Sequence, residues 1–306
     1  MGEMARILVG TVEGIHEIEE SGRRGPSRHP GMAGEVTVVA PEAGRLWAVV
    51  AGRAVWRTEG PDPWVHVADL EGFRATCLAG TRAGVVVGTS AARLFRLAGD
   101  DLELVSSFDE APGRARWFTP WGGPPDTRSI SEDGEAVYVN VHVGGILRTA
   151  DRGQTWQPTL QIENDVHRVL ARPGRLYAAC ARGLAVSPDG GGAWAFHDEG
   201  LHAAYCRAVA VCGDALLLSA AEGPSGRRTA LYRGTLDGGS LRRGGKGLPE
   251  FFDTHIDSLC LDAAPGGELA AFGLADGSVY ASLDQGESWD LVASGLPRIN
   301  SILTLP

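Results

Sequence analysis

Apolar positions in this chain fall in short runs that alternate with small or polar residues and are closed by glycine-rich turns. Ala136 to Val141 is followed by Gly145 to Thr149, Leu176 to Cys180 by Gly183 to Ser187, and Leu269 to Gly273 by Ser278 to Ser282. Each pair predicts two neighbouring strands of a hairpin. Other apolar runs are Val166 to Ala171, Cys206 to Val211 and Ile256 to Leu261, joined by Val36 to Ala40, Arg74 to Leu78, Arg128 to Ser131 and Ile299 to Leu305. Few segments carry the apolar period of a helix, so the pattern predicts an all-β chain.

One phrase recurs between these runs. It reads Thr149-Ala150-Asp151-Arg152-Gly153-Gln154-Thr155-Trp156, then Ser187-Pro188-Asp189-Gly190-Gly191-Gly192-Ala193-Trp194, then Ser282-Leu283-Asp284-Gln285-Gly286-Glu287-Ser288-Trp289. A fourth copy, Thr235-Leu236-Asp237-Gly238-Gly239-Ser240-Leu241-Arg242, keeps the hydroxyl, the Asp and the Gly and has lost the Trp. The copies begin 38, 48 and 47 residues apart, which suits one four-stranded unit per period. The phrase has a mechanical basis: hydroxyl and carboxylate bond the backbone NH groups of a tight turn, the Gly takes a positive φ, and the Trp covers the hairpin.

On these residues the chain resembles the Asp-box (BNR repeat) β-propellers, a group that includes sialidases, sortilin-like receptor domains, photosystem II assembly factors and bacterial WD40/YVTN/BNR-like repeat proteins. The likeness to sialidases and sortilins is one of fold only, because unrelated functions share this turn. It implies that the turn joins the third and fourth strands of a blade. The seven remaining runs are then innermost strands, and the chain is expected to be a single seven-bladed β-propeller of four-stranded antiparallel blades. The expected blades are 299–306 with 6–33, then 34–72, 73–125, 126–164, 165–203, 204–254 and 255–298. The C-terminal strand pairs with the N-terminal strands, which removes exposed sheet edges. Ser21 to Pro30 stands where an outer strand belongs and is expected to be a mobile loop.

Composition narrows the function. A net charge of -10 argues against general binding of nucleic acid or an anionic membrane. Forty-three Gly and seventeen Pro fit many tight turns. The N-terminus runs straight into a strand without an apolar leader, so a cytoplasmic protein is expected. Cys77, Cys180, Cys206, Cys212 and Cys260 are odd in number and lack CxxC spacing, which predicts reduced, structural thiols.

Candidate chemistry clusters at one face of the expected disc. Loops there carry Trp117, Phe118 and Trp121 beside Arg114 and Arg116, Glu222 beside Arg227 and Arg228, and Phe251 with Phe252. Such loops are functional, or they form a hydrophobic cap. Aligning the innermost strands places Glu35, Arg74, Arg128, Arg168, Arg207, Asp257 and Asn300 around the channel mouth. The arginines suit an anionic small molecule, to which Trp117 and Trp121 would add apolar contact; the alternative is a set of ion pairs in a wet channel. His142, His167, His202 and His255 project to the same sector with Tyr205 and Cys206. These side chains are candidate ligands for zinc, copper or iron. His167, His255, Tyr205 and Cys206 are equally candidates for catalytic acid, base or nucleophile, and hydrogen bonding to neighbouring loops is the other option.

Three motifs are set aside. A sialidase needs a Tyr and Glu pair, an arginine triad and an Asp, and Tyr205 alone is a poor match. Gly239 to Lys246 lacks the Lys-Ser/Thr order and the strand-to-helix context of a phosphate loop. The repeated Asp phrase lacks the alternate oxygen ligands of a calcium loop. The expected function is binding of a small, anionic molecule, with metal-assisted oxidoreductase, hydrolase or lyase chemistry if the protein is an enzyme. The alternative is a scaffold that grips a peptide or protein partner.

Overall fold

A computed structural model describes residues 5–19, 25–29, 31–59, 63–120, 122–265 and 267–306. Their strands form seven four-stranded antiparallel sheets, the blades of a seven-bladed β-propeller. In the first blade the C-terminal strand Ile299–Leu305 pairs with Arg6–Thr11, followed outward by Gly14–Glu19 and Ser27–Arg28. The expected closure by the two chain ends is therefore present. Ser27–Arg28, within the segment expected to be a loop, is instead an outer strand that pairs with His16 and Glu17. Backbone bonds to a free strand edge need no particular side chains, which is why the alternation pattern missed it. Residues 21–24 and 30 of that segment lie outside the described residues.

The next blades are Val36–Glu42, Arg45–Val50, Ala54–Thr58, Val65–Asp69; and Ala75–Thr81, Gly84–Thr89, Leu94–Ala98, Asp101–Leu104. The fourth is Thr127–Asp133, Ala136–Val141, Gly145–Thr149, Gln157–Leu160, and the fifth Val166–Arg172, Arg175–Cys180, Gly183–Ser187, Ala195–His197. Tyr205–Cys212, Ala215–Glu222, Arg227–Thr235, Arg242–Arg243 make the sixth and Leu261–Ala263, Ala270–Gly273, Val279–Ser282, Asp290–Ala293 the seventh. The innermost strand of the seventh blade is thus Leu261–Ala263, not Ile256 to Leu261. Asp257 accepts from the backbone N of Cys260 at 2.9 Å in a turn, and the Ile256 carbonyl accepts from Ser219 Oγ at 3.2 Å. The polar pair Asp257-Ser258 favours that turn over a strand. Among the described residues no helix is long and apolar enough to cross a membrane.

The chain divides into two compact units: Met1–Val39 with Arg182–Leu184 and Phe196–Pro306, and Ala40–Ala181 with Ala185–Ala195. Within each, apolar side chains of successive blades interlock. In the first, Leu217, Leu231, Phe252, Leu261, Phe272 and Trp289 form one such layer. In the second, Leu94, Phe108, Trp117, Val139, Leu147 and Trp156 form another. Middle strands are covered on both faces, so all six residues of Ala136–Val141 are buried. Polar side chains also bridge consecutive blades. Asn140 Nδ2 donates to the Val166 carbonyl at 2.8 Å, and Asn300 Nδ2 to that of Val36 at 3.1 Å. Burial pushes the Cys77 thiol up to about 12 and the Cys212 thiol to about 11, and all five cysteines are buried and form no disulfide, which suits packing and not reactivity.

Three of the repeated turns have the geometry their residues predict. Thr149 Oγ1 donates to Asp151 Oδ1 at 2.7 Å and accepts from Gly153 N at 2.9 Å, while Asp151 Oδ1 accepts from Thr155 N at 2.9 Å. Ser187 with Asp189, and Ser282 with Asp284, repeat the pattern. Gly153, Gly191 and Gly286 take φ of 81°, 99° and 83°, a region that costs an L-residue strain. The fourth turn differs: the positive φ falls on Gly238 (88°) and Ser240 (51°), and Thr235 Oγ1 donates to the Gly239 carbonyl at 3.0 Å.

These turns predict an acid response. Partial burial pushes the Asp284 carboxyl up, yet hydrogen bonds from Ser288 and Ser282 outweigh it and hold the group below its ordinary value of 3.8. Bonds from Thr155 and Thr149 hold Asp151 well below the carboxylate range. Such a carboxylate contributes stability that is fully present above its unfolded value and is lost as the pH falls through the lower folded value. Asp284→Asn is expected to flatten the loss of stability as the pH falls below about 4, measured by urea unfolding. An unchanged acid limb in the variant would show that the turn does not carry this linkage.

Candidate functional site

Several innermost strands begin with a β-bulge, which leaves one residue out of the ladder and re-aims its side chain. In the second unit those residues are Thr76, between Ala75 and Cys77, Arg128, between Thr127 and Ser129, and His167, between Val166 and Arg168. Arg168, placed at this position by sequence alignment, pairs with Ala179, so the equivalent of Arg128 is His167.

The bulge brings His167 to Asp165, the residue just ahead of the strand. Asp165 ends the short helical turn Ile162–Asn164 in a left-handed conformation (φ 45°, ψ 72°) that Asp tolerates better than most side chains. Its carbonyl accepts from Ala181 N at 3.1 Å. His142 comes from the preceding blade, on the loop after Ala136–Val141, where its backbone N donates to the Asp126 carbonyl at 2.9 Å. Trp117 braces that loop: a Cβ on Gly144 would lie 2.4 Å from Val141 Cγ1 and 3.2 Å from the Trp117 ring.

His142 Nε2 lies 3.1 Å from Asp165 Oδ1 and His167 Nε2 3.7 Å from Asp165 Oδ2, with the histidine side chains 4% and 1% exposed. The three ligand atoms lie within 4.8 Å of one another. Burial pushes the Asp165 carboxyl up, but the His142 hydrogen bond and the charges of His167, His142 and Arg128 outweigh it, so the carboxylate stays ionised. Two ligands on a tetrahedral zinc ion are about 3.3 Å apart, a spacing that the two observed separations bracket. Two imidazoles and one carboxylate are donors for zinc or ferrous iron, and three protein ligands leave a coordination position open.

Other expected site residues stand elsewhere. Among the described residues, His142, Asp165 and His167 make up the metal-suited group, and His202 and His255 do not join it. The ring nitrogens of His202 are engaged, Nδ1 at 2.8 Å from Tyr232 Oη and Nε2 at 2.7 Å from the Arg228 carbonyl. His255 Nε2 bonds the Pro224 carbonyl at 3.1 Å, and its ring faces Tyr205 at 5.8 Å. Burial and then the Arg207 charge lower the His255 value, so it is neutral at physiological pH. Arg207 is ion-paired with Asp257, the arrangement expected of a wet channel lining. Cys206 is fully buried. Arg74 is exposed and packs over Gly52; Glu35 is half-buried, and Asn300 is used in the blade bridge to Val36.

The aromatic loop is mainly a cap. Trp117 is buried against Phe108 at 5.7 Å, under the Arg114 guanidinium at 5.1 Å, and Arg114 is tied to Asp109 at 3.2 Å. Phe118 is 59% exposed, and Trp121 lies outside the described residues. Asp165 is the site residue that sequence reasoning missed. Its signal is the Asp-x-His order Asp165-Val166-His167 at a strand start, which acquires meaning only once the His142 loop of the neighbouring blade is beside it.

No family model matches the chain, and no curated protein matches it in sequence. Solved structures do share its fold. The GH74 xyloglucanase of Xanthomonas campestris superposes with a TM-score of 0.66 and 17% identity, over 95% of this chain and 52% of that one. The chain thus spans about half the length of that enzyme. A structure of YCF48 bound to D1 peptide gives a TM-score of 0.59 and 14% identity over 95% of this chain and 86% of that one. A chain of the mitotic checkpoint complex gives 0.62 and 14% over 91% and 86%. At such identities the likeness is one of fold.

Proposed function

We propose that the chain is an Asp-box propeller that binds a divalent transition metal through His142 Nε2, His167 Nε2 and an Asp165 carboxylate oxygen. The spacing of those three donors, two on buried histidines and one on the half-buried Asp165, carries the proposal. The open position takes an atom of an anionic small molecule. The charges support this: a doubly charged ion with Asp165 and Arg128 sums to two positive charges, which an anion neutralises. The metal would act there as a Lewis acid on the bound group, in hydrolytic or lyase chemistry. Buried cysteines that form no disulfide support a reducing, cytoplasmic setting.

Elemental mass spectrometry on untagged protein purified without chelator tests the proposal. The wild type is expected to hold about one equivalent of one transition metal, or to take up one equivalent of Zn²⁺ by calorimetry, and His142→Ala/His167→Ala to hold none with Tm changed by less than about 4 °C. Wild-type protein that neither carries nor takes up metal would overturn it.

A second reading rests on the exposed Phe118 beside Arg116, a combination suited to a peptide surface. The bound peptide in the YCF48 structure motivates it. Equal recovery of peptide partners by wild type and by Phe118→Ala would count against it.

A further inference from the structure

In three repeated turns the closing Trp lies over the end of the preceding blade. Trp156 is 5% exposed and meets Phe108, just past Asp101–Leu104, edge-on at 4.9 Å. Half-buried Trp194 packs on the layer that contains Leu160 of Gln157–Leu160. Trp289 is 2% exposed and lies against Gly245, where a Cβ would come within 2.5 Å of the indole. Gly245 follows the outer strand Arg242–Arg243. In the fourth turn Arg242 pairs with Arg233, as Gln157 pairs with Arg148 and Asp290 with Ala281, so the residue in the place of the Trp is the buried Leu241, whose smaller side chain does not reach as far as an indole, while the Arg242 guanidinium goes to Glu287 by two bonds of 2.7 and 2.8 Å. The segment such a Trp would cover is Asp198 to Gly200, just past Ala195–His197.

A crevice of about 510 Å³ lies there, between Phe196 to Gly200 and Gly238 to Leu241. That volume is in the range of small-molecule sites. Its base is fixed, since a Cβ on Gly200 would meet the Leu241 carbonyl oxygen at 2.1 Å. Phe196, 43% exposed, offers an aromatic wall, and the glycines leave the backbone open to a flat ring. Asp198 and Glu199 are exposed at the rim, and among the described residues neither is in an ion pair. The cations at hand are engaged, Arg182 over the Phe196 ring at 5.8 Å and Arg242 on Glu287.

We propose that this crevice is a binding pocket for a planar aromatic group carrying a positive charge, which enters where the missing indole of the fourth repeat would pack. The ring stacks on Phe196 and the cation meets Asp198 and Glu199, favoured by the chain's net charge of -10. A basic, Trp-bearing peptide and a free aromatic amine share this chemistry.

Calorimetry with tryptamine, with an amidated Lys-Trp-Lys peptide and with neutral indole tests the pocket in the whole chain. Saturable binding of tryptamine or the peptide is expected, at least about fivefold tighter than indole. Binding of both assigns the shared chemistry, and binding of the peptide alone assigns a peptide source. Leu241→Trp, which extends an indole into the crevice from within, is expected to weaken binding at least about tenfold. Should that variant fail to fold, Asp198→Asn/Glu199→Gln is expected to weaken binding about fivefold or more at unchanged Tm. No saturable binding of either cation, indole binding as tightly as tryptamine, or wild-type affinity in a folded variant would overturn the proposal.

Discussion

Trp289→Ala is expected to destabilise the protein by about 3–5 kcal/mol and lower Tm by roughly 5–12 °C, with metal uptake at His142 and His167 unchanged. Trp289 is 2% exposed, packs edge-on against Phe272 at 5.0 Å and donates from Nε1 to the Gly286 carbonyl at 3.2 Å. Removing the indole opens a cavity in the layer formed with Leu217, Leu231 and Phe252, and that layer joins two blades. The surroundings collapse poorly, because Leu217 sits in a strand ladder and Gly245 lies between Gly244 and Lys246, whose backbone N–H groups bond the Leu231 and Glu287 carbonyls, so the cavity cost adds to the lost burial. Urea unfolding measures the loss. A change below about 1 kcal/mol would show that the indole is a surface cover and not part of the core.

The second large effect links backbone to site. Gly145→Ala is expected to cost about 2–4 kcal/mol and to weaken metal uptake by His142. Gly145 has φ 81°, and a Cβ there would lie 2.1 Å from the Leu160 carbonyl oxygen. Leu160 is held opposite Ile146 in the outer ladder, so relief requires the loop to move, and that loop carries His142. Gly277→Ala is the control: Gly277 also has a positive φ, 85°, and a Cβ 1.9 Å from the Leu296 carbonyl oxygen. It should lose similar stability while metal stoichiometry stays intact. Equal Zn²⁺ affinity in Gly145→Ala and wild type would separate the loop's backbone from the placement of His142.

Much of the fold was legible because it is written in local chemistry. The hydroxyl, Asp and Gly of each turn bond backbone groups within four residues of one another, so neighbours in sequence suffice to predict them. The alternating runs predicted strands for the same reason, and the pairing of Ile299–Leu305 with Arg6–Thr11 followed from the need to satisfy two strand edges. Local chemistry also had limits. Ser27–Arg28 pairs through its backbone alone, and Asp257 turns a run that its apolar neighbours would have made a strand.

By itself the sequence determined the all-β class, the seven four-stranded repeats and the residues of the tight turns, since those depend on contacts between residues close along the chain. Tertiary structure decided which side chains meet. Bulges turned Arg128 and His167, not Arg168, out of their ladders, and blade packing set the His142 loop against Asp165. It likewise engaged His202 with Tyr232, buried Trp117, and set Leu241 beside a crevice where its sister turns hold an indole. The physical reason is common to all of these. Each depends on the register between strands that are distant in sequence, and a shift of one residue reverses the direction of a side chain without altering the hydrophobic pattern that predicts the strand.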